Sequence, residues 1–361
     1  MRISRLPAGM GSSFPEIGPE PGLQQSDRTD GSSAGRDSTA TGRASVGTSG
    51  AATIMNPPVS VGLPVWNGGR YLRQAVDSVL SQTFTDFELI LSDNASTDET
   101  ERICREYAAR DPRIRYYRSE VNRGAAWNFN RVVELARGTY FKWMAHDDVC
   151  APDFLRRCVE VLERDPSVVV CYPRAADIDH NGRFRREKNF NLNVSDDRAH
   201  KRIHDLICVN HSCFEIFGVT RLAVLRRTSL LALYVHSDRV LLAELATRGR
   251  FHRVEEVLFL HREHPDRSTR ALPELQARIA WFDPAQSGRL TFPNWRLFRE
   301  YVCCVGRSGL PPRDRALCYL QLLPWLRRHY RLLWQDLGYA FRWGLGPRRK
   351  PVMGCRPGRA T

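Results

Sequence analysis

The sequence has 361 residues, enough for one large α/β domain with appendages or for two modest domains. With 42% hydrophobic and 10% aromatic residues it has a globular protein's composition, and no apolar run approaches the roughly 20 residues that cross a bilayer, so no membrane span is expected. Residues 289–361 hold fifteen Lys and Arg against three Asp and Glu, so +12 of the net charge of +14 sits in a C-terminal appendage, and a nucleic-acid groove through the core is not expected.

The ten cysteines have no CxxC pair, which fits a reduced, cytoplasmic setting, and Cys104, Cys158 and Cys171 read as small core residues. Residues 1–54 are rich in Gly, Ser, Thr and Ala without apolar periodicity, so disorder is expected there and no export signal is. Met55 directly precedes the first strand-like run, which raises the expectation that translation starts there.

From Val59 the pattern becomes regular. Val59–Val65 reads as a buried strand, Tyr71–Gln82 as a helix with Leu72, Ala75, Val76, Val79 and Leu80 on one face, and Phe87–Ser92 as a strand. Helices are expected at Asp98–Arg110, Ala125–Ala136 and Asp153–Arg164, and strands at Ile114–Arg118, Tyr140–Ala145 and Val168–Tyr172. This alternation predicts an α/β fold with a mostly parallel sheet covered on both faces, its ligands at the carboxyl ends of the strands.

The polar clusters fall at those ends: Pro64, Val65 and Asn67 after the first strand, Asp93, Asn94, Ser96 and Asp98 after the second, Asn122 and Gly124 after the third, and His146, Asp147 and Asp148 after the fourth. Helix capping alone would account for part of the Asp93–Asp98 run, but Asp93 and Asn94 sit directly at the strand exit. Adjacent carboxylates after an apolar strand are costly unless neutralised, and hard oxygen ligands suit Mg²⁺ or Mn²⁺ shared with phosphates.

In order and spacing these segments, with Ser78–Phe84, resemble the successive signatures of family 2 glycosyltransferases with the GT-A fold, over roughly residues 58–180. The resemblance implies a Rossmann-like sheet flanked by helices and an inverting, metal-assisted transfer from a nucleotide-diphosphate sugar to a glycan or lipid-linked acceptor, in polysaccharide, glycolipid or cell-envelope glycan synthesis. It implies nucleotide-sugar contacts from Pro64, Val65, Asn67, Asp93, Asn94, Ser96, Asn122, Gly124, Asn128 and Asp147, and a metal held by Asp148 and His264. A literal Asp-x-Asp is absent because position 146 is His, which leaves His146 a supporting role.

Beyond Tyr172 the resemblance weakens. Asp238, at the start of an amphipathic helix, is the expected catalytic base, with Ser237 where the family often has Glu; Asp205, Glu215 and Glu244 compete. Arg262 beside His264 is expected near the phosphates, and His211 near the acceptor. The domains expected are a tail at 1–54, a transferase domain at 55–285 divided into a nucleotide-sugar half (58–175) and an acceptor half (176–285), a basic amphipathic helical region at 286–345, and a disordered end at 346–361. In the helical region, tryptophans and leucines alternate with arginines, which suits either an anionic membrane surface, peripheral on its inner face, or packing on the core. The rival functions are a sugar nucleotidyltransferase, which would show a basic Gly-rich loop after the first strand, and a non-catalytic basic scaffold.

Overall fold

The structure is a computed structural model that describes residues 56–188, 192–267, 275–286 and 290–345. The expected tails at 1–54 and 346–361 lie outside the described residues. β1 (Val59–Val65) and β2 (Phe87–Asp93) are buried on both faces, which is why they read as continuous apolar runs. They alternate with α1 (Gly69–Leu80) and α2 (Thr100–Arg110), and are followed by β3 (Ile114–Arg118), α3 (Ala125–Leu135) and β4 (Tyr140–Trp143). These four strands are parallel in the order β3-β2-β1-β4. Val65 pairs with Asp93, and Asp93 with Arg118, so three strands end on one line and their exit loops meet at one edge.

The second half extends the same sheet. β5 (Val149–Cys150) and α4 (Phe154–Arg164) lead into β6 (Val168–Ile178), which is longer than its apolar run suggested and carries the boundary expected at 175/176 inside it. Next come β7 (Phe184–Lys188), α5 (Ala199–Cys208), β8 (Val219–Arg221), α6 (Leu222–Leu225), α7 (Ser237–Arg248) and β9 (Arg250–Arg262). β9 runs parallel to β6, whereas β8, β7 and β5 enter antiparallel, giving a mixed, mostly parallel α/β sheet. One face buries Val61, Leu63, Leu89 and Leu91 against α1, α2 and α4; the other buries Ile90, Phe141, Trp143 and Val170 against α3, α5 and α7.

After α8 (Leu275–Phe282), the basic region forms α9 (Pro293–Gly306), α10 (Pro312–Leu320) and α11 (Leu322–Leu345). α9 packs on α7, α10 on α5, and α11 on both α9 and α5. Trp325 stacks between Phe298 and His329, with ring centroids 5.6 and 4.6 Å away. The buried Asp336 carboxylate accepts the Asn294 N–H at 2.8 Å and the Trp295 N–H at 3.2 Å, capping α9 from a neighbouring helix. Among the described residues no helix is long and apolar enough to cross a membrane, and the nine described cysteines are free thiols.

Candidate active site

β4 ends at Trp143, and the chain turns through His146, Asp147 and Asp148 into β5, which pairs with β9. That pairing brings β9's end against the acidic pair. Asp148 is buried, and its Oδ1 accepts the Arg262 N–H at 2.9 Å. Asp147 Oδ2 lies 2.9 Å from His264 Nε2, and its carbonyl accepts the Arg262 Nε–H at 2.8 Å. Burial, and then the charge of Asp147, push the Asp148 carboxyl well above the usual carboxylate range. Burial would raise Asp147 too, but His146 and the bond to His264 outweigh it and hold that carboxyl well below. Their surroundings thus shift the two carboxyls in opposite directions.

Arg262 was expected to face phosphate, but its guanidinium is largely engaged inside the protein. It bonds the carbonyls of Asp147, Asp179 (3.2 Å) and His180 (3.4 Å) and Gln74 Oε1 (2.7 Å), and lies over the Tyr71 ring at 4.8 Å. It clamps the acidic turn to the β6–β7 turn. His264 packs on the same ring at 4.8 Å. Among the described residues its Nδ1 and the Tyr71 hydroxyl are buried without a hydrogen-bond partner, a costly state that a bound ligand would relieve. His146 packs so tightly on Gly68 that a Cβ there would lie 2.5 Å from its ring.

The other exit loops are tied to one another. Asp93 is fully buried; its carboxylate accepts the Ser96 N–H at 2.8 Å and the Tyr116 hydroxyl at 3.0 Å, and lies 3.3 Å from Arg118 Nε. Asn94 Nδ2 donates to Asn122 Oδ1 at 2.9 Å and to the Gly124 carbonyl at 3.1 Å, joining the second and third loops. Asn67, at φ 51°, is exposed; its N–H donates to Ser96 Oγ and its Oδ1 accepts the Thr97 N–H. Asn128 is buried and holds the carbonyls of Val65 and Ser92, so it fastens the ends of β1 and β2 from below the edge. Pro64 and Val65 are buried in the last turns of β1. Asp98 is engaged within the loops, its carboxylate accepting the N–H groups of Thr100 and Gly69. Gly124 has φ 88°, and a Cβ there would lie 2.6 Å from the Phe282 carbonyl oxygen, so α8 ends directly on the glycine loop.

On the far side, Asp238 lies half-buried in the first turn of α7, where its carboxylate accepts the adjacent Arg239 N–H at 2.9 Å and is touched by the Cys213 thiol. Its competitors are committed elsewhere. Glu215 faces His211, Glu244 holds Ser229 and Arg248, and Asp205 accepts the Asn193 N–H. His211 is buried rather than pocket-lining: Nε2 lies 3.1 Å from the Leu206 carbonyl and Nδ1 3.2 Å from Glu215. Among the described residues the Ser237 and Tyr301 hydroxyls are buried without a hydrogen-bond partner. Tyr71, Gln74, Tyr116 and Arg118 escaped sequence reasoning; only Tyr116 and Arg118, two apart on one strand face, carried a usable signal.

Residues 60–225 match the family model described as Glycosyl transferase family 2. Over 126 residues the chain is 36% identical to a chondroitin synthase of Escherichia coli, covering 35% of this chain and 18% of that protein. Over 117 residues it is 33% identical to glycosyltransferase GlyG of Streptococcus pneumoniae, covering 32% of this chain and 39% of GlyG. The matches therefore span well under half of either relative. Among solved structures, a mannosyltransferase from Pyrobaculum calidifontis in complex with GDP-Man and Mn²⁺ superposes with a TM-score of 0.50 at 18% identity, over 81% of this chain and 77% of that one, a likeness of fold.

Proposed function

We propose that this chain, whose residues 60–225 match the family 2 glycosyltransferase model, transfers a sugar from a nucleotide-diphosphate sugar to an acceptor hydroxyl with inversion, in glycan or glycolipid assembly. The observation that carries this reading is the convergence, on one sheet edge, of the linked Asn67, Asp93, Asn94 and Gly124 loops with the Asp147–Asp148 turn. The first three exit loops suit the nucleotide, with Asn67 and Asn122 facing solvent. Asp238 takes the acceptor proton as that oxygen bonds to the anomeric carbon. The bond from that carbon to the diphosphate breaks with its electron pair, and nucleoside diphosphate departs.

The acidic turn fits a hard divalent cation. Asp148 receives a single hydrogen bond among the described residues, and His264 Nε2 lies 2.9 Å from the Asp147 carboxylate beside it. Mg²⁺ or Mn²⁺ held by Asp148 with His264 would supply positive charge to the departing diphosphate. A panel of UDP-, GDP- and dTDP-sugars with each metal tests the donor side. One nucleotide class should raise the melting temperature in a concentration-dependent way; no stabilisation by any of them contradicts the reading.

α11 supports a membrane-surface setting and a lipid-linked acceptor. Leu323, Tyr330, Trp334, Leu337 and Phe341 form an exposed stripe about 27 Å long at helical rise. Trp334 is 69% and Phe341 71% exposed, and the exposed Arg327 and Arg331 flank the stripe. An anionic interface suits both components.

A further inference from the structure

β6 and β9 finish side by side with Asp177 paired to His261, and β7 returns along β6 with Arg186 opposite Asp177. Asp177, Arg185, Arg186 and Glu263 line a cleft there of about 350 Å³, within the range of roughly 300–1,000 Å³ usual for small-molecule sites. Asp177 Oδ2 receives Arg186 Nε and Lys188 Nζ, each at 2.9 Å, and Glu263 Oε1 receives Arg267 Nη1 at 2.6 Å. Three cations thus answer two carboxylates. Arg185 adds a fourth cation, exposed and with no ion-pair partner among the described residues.

The ligand atoms of Asp177, His261 and Glu263 lie within 4.8 Å of one another, a grouping that could hold a metal. The three cations already seated on those carboxylates favour the opposite sign of ligand. The cleft also borders both halves of the chemistry. Glu263 lies between Arg262, whose N–H holds Asp148, and His264, whose ring holds Asp147. On the other side, the His261 ring is 4.9 Å from Phe214, the residue after Cys213, whose thiol touches Asp238.

We infer that this cleft is an acceptor subsite for a sugar bearing an anionic group, carboxylate or phosphate, with Arg185 as its principal unpaired cation. The word acceptor rests on the transferase reading; the anion selectivity does not. Calorimetric titration of the full chain with methyl β-glucuronide, glucose 1-phosphate and methyl β-glucoside tests it. At least one anionic sugar should bind tenfold or more tightly than the glucoside, and R185E should abolish that preference, with R185Q intermediate. Selectivity for the glucuronide alone identifies a sugar acid, and for the phosphate alone a phosphorylated acceptor. Equal affinity for all three, or a preference that survives R185E, overturns the inference. Nucleoside diphosphate release by the same preparation is scored separately. Anion selectivity without release keeps the subsite and sinks the transferase reading, and release without selectivity does the reverse.

Discussion

Arg262 shows how one buried side chain organises the candidate site. Its backbone N–H holds Asp148, while its guanidinium bonds Asp147 and Asp179 through their carbonyls. Arg262→Ala would leave buried acceptors without donors, at a cost of about 2 kcal/mol or more. The expected result is a lower melting temperature together with weaker donor binding. Lysine should not rescue it, because a point charge on a flexible stem cannot replace a planar fork reaching several acceptors. Differential scanning fluorimetry with and without donor measures both; an unchanged melting temperature in Arg262→Ala would show that the clamp is not needed. The residue's importance was visible in the sequence, but its role was not. Proximity to His264 suggested phosphate contact, whereas β9–β5 pairing turns the side chain inward. His211 departs from expectation for a similar reason: a histidine next to polar Ser212 sits in the core, bonded to Glu215 and the Leu206 carbonyl.

At the scale of elements, β1–β4 were legible because parallel strands covered on both faces read as unbroken apolar runs between amphipathic helices. The Asp93, Asn94, Asn122 and Gly124 loops were legible as polar residues at strand exits. The second half resisted because its strands carry paired charges. β7 has the sequence Phe-Arg-Arg-Glu-Lys and no apolar alternation, and β6 continues through Arg174 and Asp177, whose partners lie on β7 and β9. Burial alone would raise the Asp177 carboxyl, but Lys188, Arg186 and His261 outweigh it and hold it below the ordinary range. A depressed folded value means a stabilisation fully present above the unfolded value of about 4 and lost as pH falls through the folded one. Asp177→Asn should therefore melt below the wild type at pH 7, with the gap closing in acid below about pH 4. A gap independent of pH would show that packing, and not charge, accounts for the effect.

In the whole molecule, the described helices of the basic C-terminal region, α9–α11, pack on the core along one side only. α9–α11 bury Tyr301, Trp325 and Leu333 on the side that packs on α5 and α7, while the opposite face of α11 keeps its apolar stripe in solvent. The composition showed the charge and the aromatics; it did not show that packing and an exposed stripe would occupy different faces of one helix. Co-sedimentation with vesicles containing anionic lipid should pull down the full chain, and a Trp334→Gln, Phe341→Gln double variant should lose most of that binding while melting as the wild type does. Equal partitioning of the two proteins would remove the membrane from the account.

The account's central claim joins the domain to its chemistry: the acidic turn serves the donor, and Asp238 serves the acceptor. Coupled detection of released nucleoside diphosphate and transferred sugar, for the wild type, Asp148→Ala and Asp238→Asn, tests it most directly. The wild type should release one nucleoside diphosphate, and no pyrophosphate, for each sugar transferred. Asp148→Ala should lose metal-dependent donor binding and turnover, and Asp238→Asn should bind donor normally while transfer falls by roughly 100-fold or more, in line with loss of a general base. Pyrophosphate as the product, or full transfer by Asp238→Asn, would contradict it.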